Sequence, residues 1–474
     1  MTMVDEIVQD PIPVDRFREL LPDGRYERLV ARLEPARRAL AGRRLWNINS
    51  TAAGGGVAEM LPSFLADAQG AGFDAGWLVI GGNEDFFRVT KLLHNQLHDA
   101  SDAGELTTED RAIYETTLAD QEDELLARVS PGDIAVLNDP QPLGLSALLS
   151  KKGVTCIWRC HIGSDEPTEI ARRAHAFLLP YLQDVAACIF SREAHVWNEV
   201  DRDRVRIIPP FIDAFSAKNR RLDDGEVLRI LRVAGLRAGP TDPGPVPFSR
   251  SDGSQGTVTH RASFADGGDP PPATAKLVTQ VSRWDRLKDP IGVLQGFARH
   301  VAGETDAHLL LAGPSAESVA DDPESAEVLA GCVAAWQSLA ADLRPRVHLA
   351  CLPMDDLEEN ALMVNALQRT SAVVVQKSLA EGFGLTVAEA LWKGRPVVAS
   401  RVGGIQDQVV HGVCGMLIEP SDLEEFGRAV RQLLCDDDAC GVLGRGGHEW
   451  VLDHYLGLTH LVRCVELAAE VVAG

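Results

Sequence analysis

The sequence predicts an α/β protein built from two doubly wound parallel sheets. Three observations carry this reading: short apolar runs alternate with helical patterns twice along the chain, a Gly/Pro-rich stretch separates the two series, and in each series a glycine turn joins a strand to a helix. The 474 residues also exceed what one domain usually holds.

In the first series, the Arg-, Leu- and Glu-rich first forty residues read as helical. Arg44–Ile48 then reads as a strand, running into Asn49-Ser50-Thr51 and the glycines Gly54, Gly55 and Gly56. Val57–Ala68 has helical spacing, and Gly76–Ile80 is the next strand. A charged helical segment, Asp99–Val129, precedes strands at Asp133–Asn138, Thr155–Arg159, Ala187–Phe190 and Arg206–Ile208. A helix at Asp224–Leu236 leads into residues 237–275, so rich in Gly, Pro, Ser and Asp that the expectation is a flexible insertion. The second series places strands at Lys276–Val281, Ala307–Ala312, Arg346–Ala350, Ala372–Gln376, Pro396–Ala399 and Gly415–Ile418.

The charge balance narrows the function. A net charge of −23 argues against nucleic acid or an anionic membrane as the main partner, since both reward basic surfaces. No apolar run approaches the roughly 18 residues that cross a bilayer. The opening MTMVDEIVQD lacks the basic start of a secretory leader, so a cytoplasmic location is expected. Nine cysteines are scattered, and Cys156–Cys160 and Cys435–Cys440 lack zinc-ribbon spacing, so free thiols and no metal centre are expected.

The strongest chemical signal is EGFGLTVAE, Glu381 to Glu389, directly after a strand. Gly382 and Gly384 permit a tight turn around Phe383, after which Leu385 and Thr386 open a helix whose free N–H groups suit a diphosphate. Glu381 precedes that helix and Glu389 lies two turns into it, so the two contact different parts of one ligand. The alternative is a structural turn flanked by two solvated acids. Arg283 and Lys288, in VSRWDRLKDP, follow a strand of the same series and supply cations for that anion; alone they read as loop surface charge. The Gly54–Gly56 loop lacks the third glycine of a dinucleotide fingerprint, because Glu59 stands there; it reads as facing a diphosphate or sugar, or as a plain turn. His161 at a strand's carboxyl end suits a sugar hydroxyl or a proton, against the common structural histidine. Lys91, His94 and Asn95, in FFRVTKLLHN, read either as the lining of an acceptor pocket or as a surface helix.

At these residues the chain resembles the retaining family 4 glycosyltransferases. EGFGLTVAE fits that family's E-x7-E element, and GRPVVASRVGGIQDQVVHGVCGMLIEP fits its continuation. The segments NSTAAGGGVAEML, WRCHI, PPFIDAFSAKN and QVSRWDRLKDP are similar to the branch that contains trehalose synthases and trehalose phosphorylases. The resemblance implies a GT-B fold, two Rossmann-like domains facing across a cleft. Residues 1–215 would form the acceptor domain and 276–474 the nucleotide-sugar domain, with the last helix a candidate to pack back on the first. It implies transfer of glucose from ADP-, UDP- or GDP-glucose to glucose with retention, giving trehalose. Phosphorolysis of trehalose, another acceptor, or sugar-nucleotide binding without turnover are the rival readings.

Carried over by position, Arg283 and Lys288 would clamp the diphosphate, Gly384–Thr386 would cap it beside Gly382 and Phe383, Glu381 would hold glucose hydroxyls, Glu389 would hold the ribose, Gly54–Gly56 would approach the donor, and His161 would touch the transferred sugar. No cofactor is implied; Mg²⁺ would stimulate only by loading the nucleotide product, and a homodimer is an allowed assembly. One departure stands out: Gly163 follows His161-Ile162 where the branch commonly has Asp, leaving Asp165 or Glu166 to serve the acceptor.

Overall fold

The computed structural model describes residues 3–473 apart from 23, 53–55, 101–103, 240–243 and 316–322. The chain divides into two compact units: Met1–Phe211 together with His454–Gly474, and Ile212–Asp453.

The first unit is a seven-stranded sheet of β1 (Val4–Ile7), β2 (Leu45–Asn49), β3 (Ala75–Ile80), β4 (Ile134–Asn138), β5 (Thr155–Cys160), β6 (Val185–Phe190) and β7 (Val205–Ile207), in the order β1-β3-β2-β4-β5-β6-β7. Apart from β1 the strands are parallel, and β2 and β5 are buried along almost their whole length, as a sheet covered on both faces requires. Trp46, Trp77 and Trp158 fill its faces. The chain winds outward in both directions from β2, so the topological switch lies between β2 and β4. The C-terminal helix Gly457–Ala473 packs on the helices Arg25–Ala39 and Gly56–Gly70, with Glu466 paired to Arg32 at 2.6 Å.

One expectation fails here. The first forty residues are not wholly helical, because Val4–Ile7 pairs antiparallel with β3. Glu124 fixes this edge by accepting from the Met3 and Val4 N–H groups at 2.8 and 3.0 Å.

The second unit repeats the plan. Its sheet runs β10-β13-β12-β11-β14-β15-β16, from β10 (Ser263–Phe264), β11 (Leu277–Val281), β12 (His308–Pro314), β13 (Val347–Leu352), β14 (Val373–Gln376), β15 (Val397–Ser400) and β16 (Met416–Ile418). All pairs are parallel except β10 on β13, and the switch lies between β11 and β14.

The flexible insertion expected at 237–275 is corrected by the described part of that stretch. β8 (Val246–Ser249) and β9 (Gln255–Val258) form an antiparallel hairpin, and β10 extends the main sheet. The apolar supply is small, but it alternates: Val246, Phe248 and Val258 turn inward to a core with Ile230 and Leu231. Buried Glu359 then accepts from the Thr259 and His260 N–H groups at 2.5 and 2.6 Å, and Arg250 pairs with Asp356. Composition averaged over the stretch concealed a period-two pattern. Residues 240–243 lie outside the described residues. Among the described residues, no helix is long and apolar enough to cross a membrane.

Candidate active site

In doubly wound sheets ligands bind beyond the carboxyl ends of the strands at the switch point. In the second unit the two loops at that point follow β11 and β14, and they carry Arg283, Lys288 and Glu381. The loops are tied together from below. Gln280, at the end of β11, donates to the Lys288 carbonyl at 2.9 Å and accepts from the Lys377 N–H at 3.1 Å; the Leu379 N–H donates to the Leu287 carbonyl at 2.7 Å. Two ion pairs span them. Lys288 Nζ donates to Glu381 Oε2 at 2.5 Å, and Lys377, 1% exposed, pairs with Asp289. Asp289 also accepts from the Gly292 N–H at 3.0 Å, capping the helix Pro290–His300.

Glu381 leads into the glycine turn. Gly384 sits at φ 82° and starts the helix Leu385–Trp392, with no side chain capping it. The turn rests on a second glycine loop: the Gly404 N–H donates to the Gly382 carbonyl at 2.9 Å, Gln408 donates to the Phe383 carbonyl, and a Cβ at Gly403 would overlap the Glu381 carbonyl. The result is an acid, a lysine and an open helix N-terminus held in one place, an arrangement that grips an anion beside a hydroxyl-bearing group.

Arg283 lies apart from this pair. Its side chain is 68% exposed and bonds Asp285 on its own loop at 3.0 Å. Glu389 is buried on the helix, with Lys218 Nζ at 3.6 Å. Lys393, one turn on, donates to Asn219 Oδ1 at 2.9 Å, and burial pushes its ammonium down to about 7. Lys377, Asp289, Lys218 and Lys393 escaped the sequence reading. Only Asp289-Pro290 carries a local signal, the cap-then-proline start of a helix.

In the first unit Gly54 and Gly55 lie outside the described residues, and Gly56 begins the helix Gly56–Gly70. His161 follows β5. Its N–H donates to Asp139 Oδ1 at 2.8 Å, and its Nε2 lies 3.3 Å from Asn138 Oδ1. Asn138 spends its amide on the Ile48 and Val136 carbonyls, so its oxygen accepts, Nε2 carries the proton and Nδ1 keeps a free lone pair. Burial, helped by Arg159, holds this imidazole well below its usual range and neutral. Burial also raises Asp139 to about 7.

Asp165 is held by two buried residues that the sequence reading missed, Arg192 Nη1 at 2.6 Å and His195 Nε2 at 3.2 Å. The His195 ring fills the space a Cβ at Gly163 would need, which explains the glycine there. Lys91, His94 and Asn95 lie on the helix Glu84–Leu97, whose Phe86, Val89 and Leu93 enter the core; Lys91 is exposed, and burial lowers His94.

Comparisons with known proteins agree with both halves. Residues 47–197 match the model of the trehalose synthase N-terminal domain, and 268–450 match that of glycosyl transferases group 1. The chain is 34% identical to a trehalose synthase of Rubrobacter xylanophilus, covering 90% of each. It is 26% identical to a trehalose phosphorylase of Grifola frondosa, covering 96% of this chain and 62% of that one. Among solved structures, the α,α-trehalose-phosphate synthase (UDP-forming) of Burkholderia vietnamiensis matches with TM-score 0.64 at 15% identity, over 90% of this chain and 98% of that one, which identifies the GT-B fold. With the switch-point loops, the E-x7-E helix and a relative aligned over nearly its whole length, the chain belongs to the trehalose synthase family of glycosyltransferases.

Proposed function

We propose that the enzyme transfers glucose from a nucleoside diphosphate glucose to a second glucose with retention, forming trehalose. The observation that carries this reading is the Lys288–Glu381 pair beside the open N-terminus of Leu385–Trp392. On donor binding Lys288 and the helix N–H groups take the diphosphate, and Glu381 turns to accept from glucose hydroxyls. Glu389 holds the ribose, with Lys218 fixing its carboxylate. Exposed Arg283 swings from Asp285 to the phosphates.

The bond from glucose C1 to the phosphate oxygen breaks, the bond from C1 to the acceptor hydroxyl oxygen forms on the same face, and the departing phosphate takes the acceptor's proton. Charge develops on that phosphate, where Lys288 and the helix lower the barrier. His161, held neutral, stands beside the transferred sugar, and Asp165 serves the acceptor. A diphosphate gripped by lysine, arginine and N–H groups has its charge met by the protein, so EDTA should leave a substantial rate, with Mg²⁺ stimulating by loading the product. Complete loss in EDTA, restored by Mg²⁺, overturns that part.

The deciding experiment incubates the protein with glucose and ADP-, UDP- or GDP-glucose and identifies the product by NMR. An α,α-1,1-linked disaccharide and a nucleoside diphosphate are expected. Formation of glucose 1-phosphate from trehalose and inorganic phosphate, with no nucleotide-dependent synthesis, would assign the phosphorylase reaction instead.

A further inference from the structure

Arg159 has no part in the reaction above, and its surroundings are unusual. It lies near the end of β5, 7% exposed. Nη1 donates to His460 Nε2 at 2.9 Å and lies 3.8 Å from Cys464 Sγ; Nη2 reaches the Ile208 carbonyl only at 3.4 Å; Nε has no partner among the described residues. His460 spends its Nδ1–H on the Pro209 carbonyl at 2.9 Å, so it is a neutral acceptor. None of these hydrogen-bond partners is an acid, and the carboxyl whose charge acts on the guanidinium, Asp139, is itself raised to about 7 by burial. A buried guanidinium so weakly compensated costs several kcal/mol. Arg237, also buried, shows the ordinary remedy, donating to the Pro272 and Ala275 carbonyls at 2.7 and 3.0 Å. Arg159 has no such pair.

It borders a cavity instead. About 40 Å³ of space lies between the sheet and the helices Gly56–Gly70 and Gly457–Ala473, with Asn47, Asn138, Arg159, His161, His460 and Cys464 on its polar wall. That volume admits a small ion with one or two waters, and neither a sugar ring nor a phosphate ester. We propose that this cavity binds a monovalent, halide-sized anion against the Arg159 guanidinium. The His161 Nδ1 lone pair is no obstacle, because a water beside the ion donates one hydrogen to it and the other to the ion. Arg159 lies on β5, His161 follows the strand's end, and both line the cavity, so the ion stiffens the strand end that presents His161.

The test compares sodium bromide with sodium gluconate at equal ionic strength on the whole protein. The melting temperature should rise with the logarithm of bromide concentration beyond the gluconate control, as saturable binding to the folded state requires. Arg159→Met should abolish that dependence, and crystals grown in bromide should give an anomalous peak in the cavity. Equal melting in both salts, or waters alone in the cavity, overturns the proposal; so does a bromide effect with no peak there. If Arg159→Met does not fold, the wild-type diffraction experiment decides alone. None of these readouts depends on which sugar the enzyme transfers.

Discussion

The two switch points share a topology and differ in electrostatics. In the second unit charge meets charge: Lys288 with Glu381, Lys377 with Asp289, Lys218 with Glu389. In the first, around β2, β4 and β5, Arg159 has neutral hydrogen-bond partners, His161 is held neutral and Asp139 is raised to about 7, with the Asp165–Arg192 ion pair as the exception. On the proposed function, the same fold suits two ligand chemistries. Exchangeable ion pairs suit a charged diphosphate, which replaces one partner with another at little cost in desolvation. Neutral, desolvated groups suit sugar hydroxyls, which bring dipoles and no charge.

Breaking the charged side should have the largest effect. Glu381→Gln and Lys288→Ala should each lower kcat/KM by roughly 10²- to 10³-fold while the fold persists. Because the pair acts together, the double variant should lose much less than the product of the two losses. Near-normal turnover in either single variant would move the donor elsewhere.

Lys377→Met tests the supporting pair. It leaves Asp289 partly buried without its cation, for a loss of about 3 kcal/mol in unfolding free energy. Lys377→Met with Asp289→Asn should recover part of that in denaturant titrations; no recovery would show that Lys377 acts through packing alone.

Two smaller effects separate donor from acceptor. Arg283→Ala should raise donor KM by roughly tenfold, a modest loss for a side chain 68% exposed in the free enzyme. Asp165→Asn should raise acceptor KM by a similar factor and leave donor KM alone. Crossed effects would reverse the assignment of the two ligands to the two switch points.

The last concerns pH. Burial lifts Asp139 from 3.8 to about 7, so between those values the folded chain keeps a proton that the unfolded chain has released. Its contribution to stability therefore falls as pH rises through that window. His161, lowered by burial, contributes the opposite slope below its ordinary 6.5. Asp139→Asn keeps an acceptor for the His161 N–H and tolerates the left-handed backbone at φ 65°. It should flatten only the Asp139 part, so stability should rise more steeply toward neutral pH than in the parent. Identical profiles in urea titrations would remove the buried charge from the comparison.

The sequence by itself determined the double α/β series, the glycine turn at Gly382–Thr386 and the candidate set around it, because strands buried on both faces and strand–glycine–helix turns are local patterns. It also offered Asp165 or Glu166 as stand-ins for the acid missing at Gly163. What only the tertiary structure decided is which charges meet. Lys288 and Glu381 are 93 residues apart, and Arg159 and His460 are 301 apart. No local pattern marks Lys377, Arg192 or His195, since a charged residue reads as surface until its partner is known. The hairpin Val246–Val258 was hidden for the opposite reason. Its few inward side chains become a core only when the helix Asp224–Val233 covers them, and its backbone polar groups become tolerable only when the two strands pair with each other and Glu359 accepts from the Thr259 and His260 N–H groups.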